Sequence, residues 1–204
     1  MDEAHPNDRS AVDLYWIPLG AGGRSVRFNG KAYEAVAASM AGRPRCDIFH
    51  TALTVQVRDA RFTIEMTPIP NGNPWERGVV AEGAVGTRWA GRLRVFRYEV
   101  RRWRDGVVPD IGFAVASPVR LTEDEALARE VLELLPTVPT AVWGRDELGA
   151  GEMWSCNSII SWVLTRAGAD VEAIRPPARG RAPGWDAGIA VARRSATPTR
   201  LTVA

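Results

Sequence analysis

The sequence is poor in lysine, cysteine and histidine, and it has no long apolar run. It has one lysine (Lys31), two cysteines and two histidines in 204 residues. No apolar run approaches the ~20 residues that a membrane-spanning helix needs, and the acidic start of the chain does not have the pattern of a secretory signal. We therefore expect no transmembrane segment, a cytoplasmic location and cysteines that stay reduced.

The charge balance gives no reason to expect a nucleic-acid partner. The formal net charge is +2, which is too small to predict nucleic-acid binding by itself. The densest group of arginines, in residues 92–104, is interleaved with Val95, Tyr98 and Val100. Alternation of this kind predicts a strand with one solvated face, and we expect no nucleic acid to bind there.

Length and composition indicate one domain. Hydrophobic residues make up 46% of the chain and charged residues 25%, as in ordinary globular proteins. We expect residues 1–10 to form a flexible tail and residues 11–204 to form a single α+β domain.

Periodicity and turn residues divide the chain into strands and helices. We predict strands at residues 12–19, 46–57, 61–67, 78–83, 93–103 and 188–191. Helices are predicted at residues 31–40, behind a capping box at residues 122–125, and from Cys156 to a stop at Gly168. Mixed elements in this order predict an antiparallel sheet packed against helices.

Two of the predicted strands form a hairpin that collects polar side chains. With a tight turn at residues 59–60, His50 and Glu65 point to the same face of the sheet. Glu65 then lies opposite Thr54, roughly 13 Å along the strand from His50. Gln56 and Thr67 share that face. A bulge or a looser turn would bring Glu65 closer to His50.

Cys156 lies at the predicted start of a buried helix. Ser155 is a good N-cap, and apolar residues recur behind it at helical spacing. A thiol on the first turn feels the positive end of the helix dipole, which favours the thiolate, the nucleophilic form. The alternatives are a small buried cysteine that only packs, or a nucleophilic serine at Ser155 or Ser158.

His50 is the only histidine outside the tail, and it is the natural base for such a thiol. A base of this kind needs an acceptor that fixes its tautomer. Glu65 is the candidate acceptor, and Thr67 and Gln56 are its rivals. A histidine held by structural hydrogen bonds is the simpler alternative.

These residues resemble a known family. Residues 50–55, residues 62–65 and the helix at residues 154–162 look like the corresponding parts of papain-like NlpC-type cysteine hydrolases. The order of histidine before cysteine resembles their circularly permuted branch, which includes lecithin–retinol acyltransferase-like proteins. The resemblance implies a papain-like fold, with Cys156 as nucleophile, His50 as base and Glu65 as its orienting residue. Residues 68–150 carry no part of the resemblance.

The implied activity is that of a cysteine hydrolase, peptidase or acyltransferase. It would act through an acyl-enzyme on an amide, ester or thioester, so the expected partner is a small-molecule, peptide or lipid acyl substrate. The sequence does not identify that substrate or the oligomeric state.

Two other classes of site remain open. A metal site built from Cys46, His50 and Cys156 lacks a fourth ligand and close cysteine spacing, so we expect neither a metal nor a cofactor. A non-catalytic binding protein on the same fold is the main alternative. Its pocket would be lined by tryptophans from the predicted loops: Trp75, Trp89, Trp143, Trp154 and Trp185.

Overall fold

A computed structural model describes residues 9–19, 46–69 and 75–196. This part of the chain forms an α+β architecture of seven strands and three helices. The strands are β1 (Ala11–Pro18), β2 (Asp47–Val57), β3 (Ala60–Pro68), β4 (Val79–Ala84), β5 (Arg97–Arg104), β6 (Val119–Thr122) and β7 (Gly180–Arg181). The helices are α1 (Glu125–Leu134), α2 (Cys156–Arg166) and α3 (Trp185–Ala196).

The sheet is open and almost wholly antiparallel, with the strand order β4-β5-β3-β2-β1-β6. The short strand β7 pairs in parallel with the start of β2, at Asp47 and Ile48. No helix in the described ranges has the length and apolar character that crossing a membrane requires.

The predicted hairpin is confirmed, but its register differs by two residues. Val57 pairs with Ala60, so the turn is formed by Arg58 and Asp59, and Thr54 lies opposite Thr63 rather than opposite Glu65. Arg58 adopts a left-handed conformation with φ of 52°, which the tight turn requires. A shift of two residues leaves every side chain on its predicted face and moves Glu65 closer to His50 along the strand.

The two hairpin strands separate beyond Leu53. Their pairing runs from Val57–Ala60 to Leu53–Ile64, after which β3 continues beside β5 as far as Pro68. The first residues of β2 stay paired with β1, where Phe49 lies opposite Pro18. The edge of β2 that faces β3 is therefore open at residues 49–51. An open edge exposes backbone groups that need other partners.

One face of the sheet carries the core. The odd-numbered residues of β2 pack under α1 and α2, together with residues of β3, β5 and the helices. The core members from β2 and α2 include Phe49, Leu53, Val55, Val57, Ile159, Ile160, Val163 and Leu164.

The opposite face is polar, and part of it is covered by the connection between β5 and β6. Val108 of this connection packs against Ile17 and Ala52. Arg101 and Glu99 lie on this face and are buried. The prediction of a solvated face on the arginine-rich strand is therefore wrong at these two positions, because each charge is paired with its neighbour.

The helix predictions had mixed outcomes. The Cys156 helix is confirmed, and it starts as predicted. The helix predicted behind residues 122–125 is confirmed as α1. Its N-cap is Asp124 rather than the first residue of the predicted capping box, and the Asp124 carboxylate accepts from the Ala126 amide. The predicted strand at residues 188–191 is wrong, since this segment lies within α3. The predicted strand at residues 93–103 begins only at Arg97. The predicted helix at residues 31–40 and residues 1–8 of the tail lie outside the described residues.

Candidate active site

The start of α2 is fixed by two serine side chains. The Ser155 hydroxyl accepts from the Asn157 amide at 3.1 Å, and the Ser158 hydroxyl accepts from the Ser155 amide at 2.9 Å. Both hydroxyls also donate to carbonyls of the segment before α3: Ser155 to Pro183 and Ser158 to Gly184, each at 2.7 Å. These buried serines therefore have structural partners, which argues against either one as a nucleophile.

The first turn of α2 closes the open edge of β2. The Asn157 side chain donates to the Phe49 carbonyl at 3.0 Å and accepts from the Thr51 hydroxyl at 3.0 Å. The Thr51 backbone amide acts to lower the pKa of the Cys156 thiol, so the two groups are near one another. The helix start thus supplies the partners that β3 no longer provides, and it places Cys156 against the residue that follows His50.

Cys156 rests as a protonated thiol. Its side chain is buried, with 7% of the residue exposed. Burial raises the pKa of the Cys156 thiol to about 11, although the amides of Thr51, Asn157 and Cys156 itself favour the thiolate. The expectation that the helix start lowers this pKa is therefore wrong, because desolvation outweighs the amide dipoles at this depth.

His50 is held by a carboxylate that the sequence analysis did not single out. Its Nε2 lies 3.1 Å from Oδ2 of Asp110, and both side chains are 20% exposed. Burial alone would raise the pKa of the Asp110 carboxyl, but the hydrogen bond and charge of His50 outweigh burial and hold that pKa below its ordinary value. The two groups therefore form a charge-assisted pair.

The connection that carries Asp110 is anchored along its length. The Gly106 carbonyl accepts from the Thr63 hydroxyl at 2.6 Å, and the Val115 amide donates to the Trp16 carbonyl at 2.8 Å. Val108, between them, is buried. These contacts fix the segment across the polar face and bring Asp110 to His50.

Glu65, the predicted partner of His50, is engaged elsewhere. It accepts from Arg101 at 2.6 Å, and Arg101 also donates to Glu99. Glu99 accepts in turn from Arg77 at 2.9 Å. Burial raises the pKa of the Glu65 carboxyl, with Arg101 opposing that effect. Glu65 therefore belongs to a buried ladder of alternating charges, and the contact with His50 is made by Asp110.

The two rivals of Glu65 do not replace Asp110. Gln56 donates to the Arg58 carbonyl, at the far end of the hairpin. Thr67 shares the polar face through its pairing with Glu99 of β5. Asp110 is the hydrogen-bond partner of the His50 ring among the residues that the structure describes.

No hydrogen bond joins Cys156 to His50 in the described part of the chain: the His50 ring contacts Asp110, and the Cys156 thiol lies 3.9 Å from Oδ1 of Asn157. Thr51 and His50 are consecutive, so their side chains project to opposite faces of β2. Cys156 lies at the open strand edge, where the two faces meet. The negative charge of Asp110 also acts to raise the pKa of the Cys156 thiol.

Within the described ranges, no group of three histidine, cysteine or acidic side chains could hold a metal ion. Cys46 and Cys156 are not joined by a disulfide. The chain matches no protein-family model, no curated protein and no solved structure.

The described tryptophans predicted to line one pocket lie in different surroundings, apart from Trp143 and Trp154, which pair through a backbone bridge. Trp89 is 72% exposed, whereas Trp154 is buried in the core. Trp185 is buried against Trp16, with 5.4 Å between ring centroids. It also lines a cleft of about 590 Å³ between α3 and residues 171–182. The side chain of Trp75 lies outside the described residues.

The raised pKa of Cys156 predicts a pH-dependent loss of stability. Because the folded state holds this proton more tightly than the unfolded chain, the stabilisation is complete below about pH 9 and is lost as pH rises to about 11. Two pH units correspond to about 2–3 kcal/mol of unfolding free energy. The measurement is denaturant unfolding between about pH 8 and pH 11, comparing wild type with Cys156→Ala.

The comparison with Cys156→Ala is needed because burial also raises the pKa of Tyr98. The ionisation of Tyr98 changes the unfolding free energy of both proteins equally, so it cancels when the two are compared. If the unfolding free energies of wild type and Cys156→Ala change in parallel with pH, the prediction of a raised thiol pKa is wrong.

Proposed function

We propose that this protein is a cysteine-dependent hydrolase or acyltransferase built on a permuted papain-like plan, with Cys156 as nucleophile, His50 as base and Asp110 as the residue that orients His50. The observation that carries the proposal is the 3.1 Å contact between His50 Nε2 and Asp110 Oδ2, made by the residue that precedes Thr51, whose amide acts to lower the pKa of the Cys156 thiol. In this proposal Cys156, His50 and Asp110 supply the nucleophile, the base and the orienting carboxylate that acyl transfer requires.

Because the Cys156 thiol is protonated before the reaction, its proton is transferred while the sulfur attacks the substrate. With a thiol pKa of about 11, Cys156 must lose its proton as sulfur attacks the acyl carbon. His50 takes that proton and passes it to the leaving amine, alcohol or thiol as the carbon–heteroatom bond breaks. Water or another acceptor then attacks the thioester, His50 removes its proton, and Cys156 recovers its thiol. Such hydrogen bonds often tighten only when substrate binds.

The surroundings of the sulfur support this chemistry. The backbone amides of Thr51, Cys156 and Asn157 act to lower the pKa of the thiol, which favours negative charge on the sulfur. Amides at a helix start are natural donors to the oxyanion of a tetrahedral intermediate. Asp110 stabilises the imidazolium that forms on His50. The chemistry also needs reduced thiols, as the cytoplasm would provide.

The test is to trap the acyl-enzyme. We expect p-nitrophenyl esters, thioesters or activated amides to add one acyl group to wild type after rapid acid quenching, and peptide mass mapping to place it on Cys156. Cys46→Ala should acylate like wild type, whereas Cys156→Ala should not acylate. An adduct on Cys46, or equal acylation of Cys156→Ala, would refute the assignment of the nucleophile.

A non-catalytic binding protein is the second candidate. It is favoured by the buried, protonated state of Cys156 and by the cleft beside Trp185. Arg181 and Glu152 also line that cleft and lie 3.6 Å apart, so the cleft combines an aromatic wall with paired charges. In that case a ligand would bind beside α3, and Cys156 would only pack.

A further inference from the structure

An exposed apolar segment connects β4 to β5. Residues 86–96, here called the β4–β5 excursion, include two short 3₁₀ turns, Ala90–Arg92 and Arg94–Phe96. Their large apolar side chains face solvent: Trp89 is 72% exposed and Val95 77%, and Leu93 and Phe96 are exposed as well. Four large apolar side chains exposed within eight residues are an unusual concentration on the surface of a monomeric protein.

The excursion has a defined conformation. Its base is closed by the Val85 amide, which donates to the Phe96 carbonyl at 2.8 Å, and by the Gly86 amide, which donates to the Trp143 carbonyl at 2.9 Å. Inside it, the Thr87 hydroxyl accepts from the Ala90 amide at 3.1 Å. Because the backbone is already ordered, the apolar side chains can be buried against a partner with a small loss of conformational entropy.

The charged residues of the excursion itself are all arginines. Arg88, Arg92 and Arg94 are exposed in the excursion, and no carboxylate occurs between Glu82 and Glu99. Glu147 of a neighbouring loop pairs with Arg88. A surface that combines exposed apolar residues with arginines complements a partner that is both anionic and apolar.

We propose that the β4–β5 excursion docks the protein on the surface of an anionic phospholipid membrane. Trp89, Leu93, Val95 and Phe96 would enter the boundary between headgroups and acyl chains, and the arginines would contact lipid phosphates. Tryptophan is favoured at that boundary, and apolar burial and attraction to anionic lipid act together there.

Two other partners fit the excursion less well. A second copy of the chain would bring arginines close to arginines without adding carboxylates from the excursion. Single-stranded nucleic acid would stack on Trp89 and Phe96 but would leave Leu93 and Val95 exposed to water, since stacking uses aromatic rings. Unlike these two partners, an anionic lipid surface covers the aliphatic side chains and also meets the arginines.

The position of the excursion relates it to the candidate active site. It lies where β4 ends and β5 begins, and this is the end of the sheet at which β3 ends and β2 begins. His50 is the fourth residue of β2. Docking would therefore bring the His50 end of the sheet toward the membrane, although the proposal does not depend on catalysis.

The test is co-sedimentation of the full chain with phosphatidylcholine vesicles, with and without about 30% phosphatidylserine, at low and high salt. We expect binding to the anionic vesicles, weakened by salt. Trp89→Ser/Val95→Ser and Arg92→Gln/Arg94→Gln should each bind at least about tenfold more weakly. Phe113→Ser is the matched control, because Phe113 is 58% exposed but lies outside the excursion, and it should bind like wild type.

Three outcomes would overturn the proposal. The first is no binding of wild type to anionic vesicles, and the second is binding that neither double variant weakens. The third is loss of vesicle binding in Phe113→Ser to the same extent as in Trp89→Ser/Val95→Ser. Retained binding to single-stranded RNA, or a dimer that the Trp89→Ser/Val95→Ser variant dissociates, would identify the alternative partner where vesicles do not bind.

Discussion

Replacing Cys156 with alanine is expected to lower acyl transfer by about 1,000-fold or more, and replacing His50 with alanine by a similar factor. Cys156 supplies the bond-forming atom in the proposed reaction, and His50 is the proposed base. The two residues act as one unit, so the double variant should be no slower than the slower single variant. The measurement is kcat/KM on the best substrate of the acylation panel.

The fold should survive the substitution at Cys156. The side chain is small, and its contacts are packing and weak sulfur hydrogen bonds, so alanine should cost about 1–2 kcal/mol. Cys46→Ala is the matched control and should retain wild-type turnover. Turnover that persists in both Cys156→Ala and His50→Ala would refute the catalytic assignment. A wild type that turns over no acyl substrate but binds a ligand as tightly as both variants would identify a binding protein.

The alternation of side chains predicted which residues share a face, but it could not predict the register. His50 and Glu65 lie on the same face as expected, yet Thr54 pairs with Thr63. The register depends on which two residues form the turn, and Arg58 adopts the required left-handed conformation although arginine rarely does so. Alternation has a period of two, so it carries no information about a shift of two residues.

The partner of His50 was missed because it comes from a segment without regular structure. Periodicity locates strands and helices, whereas the connection between β5 and β6 is positioned by contacts of Val108 and Val115 with distant strands. A signal was present all the same. Asp110 is the only charged residue between Asp105 and Arg120, and a lone carboxylate in an apolar stretch needs a partner.

Packing overrode local sequence in α3. The run from Gly188 to Val191 has the composition of a short strand, and glycine disfavours helices. In the structure a Cβ at Gly188 would lie 2.1 Å from the Ser158 carbonyl oxygen. Glycine therefore lets α3 lie directly against α2, and that long-range contact cannot be read from the segment itself.

The pKa of the Cys156 thiol is a second case, because burial raises it more than the helix dipole lowers it. The depth of a side chain depends on the whole fold.

Neutralising Asp110 and neutralising Glu65 should have very different effects on turnover. Asp110→Asn keeps the shape of the side chain but removes the charge that stabilises an imidazolium, and it should lower kcat by about 100-fold or more with little change in KM. Glu65→Gln is the matched control on the same face. It should change kcat by less than about tenfold, because Glu65 contacts Arg101. Steady-state kinetics of the two variants make the comparison.

Glu65→Gln should instead affect stability. Arg101 would keep its contact with Glu99 but lose one buried anionic partner, at a cost of about 1–3 kcal/mol in unfolding free energy. Asp110→Glu, which restores the charge on a longer side chain, should recover part of the lost kcat. If Glu65→Gln abolishes turnover and Asp110→Asn does not, Glu65 orients His50 in the working enzyme and the contact with Asp110 is structural. Equal, small effects of both variants would remove the orienting carboxylate from the mechanism.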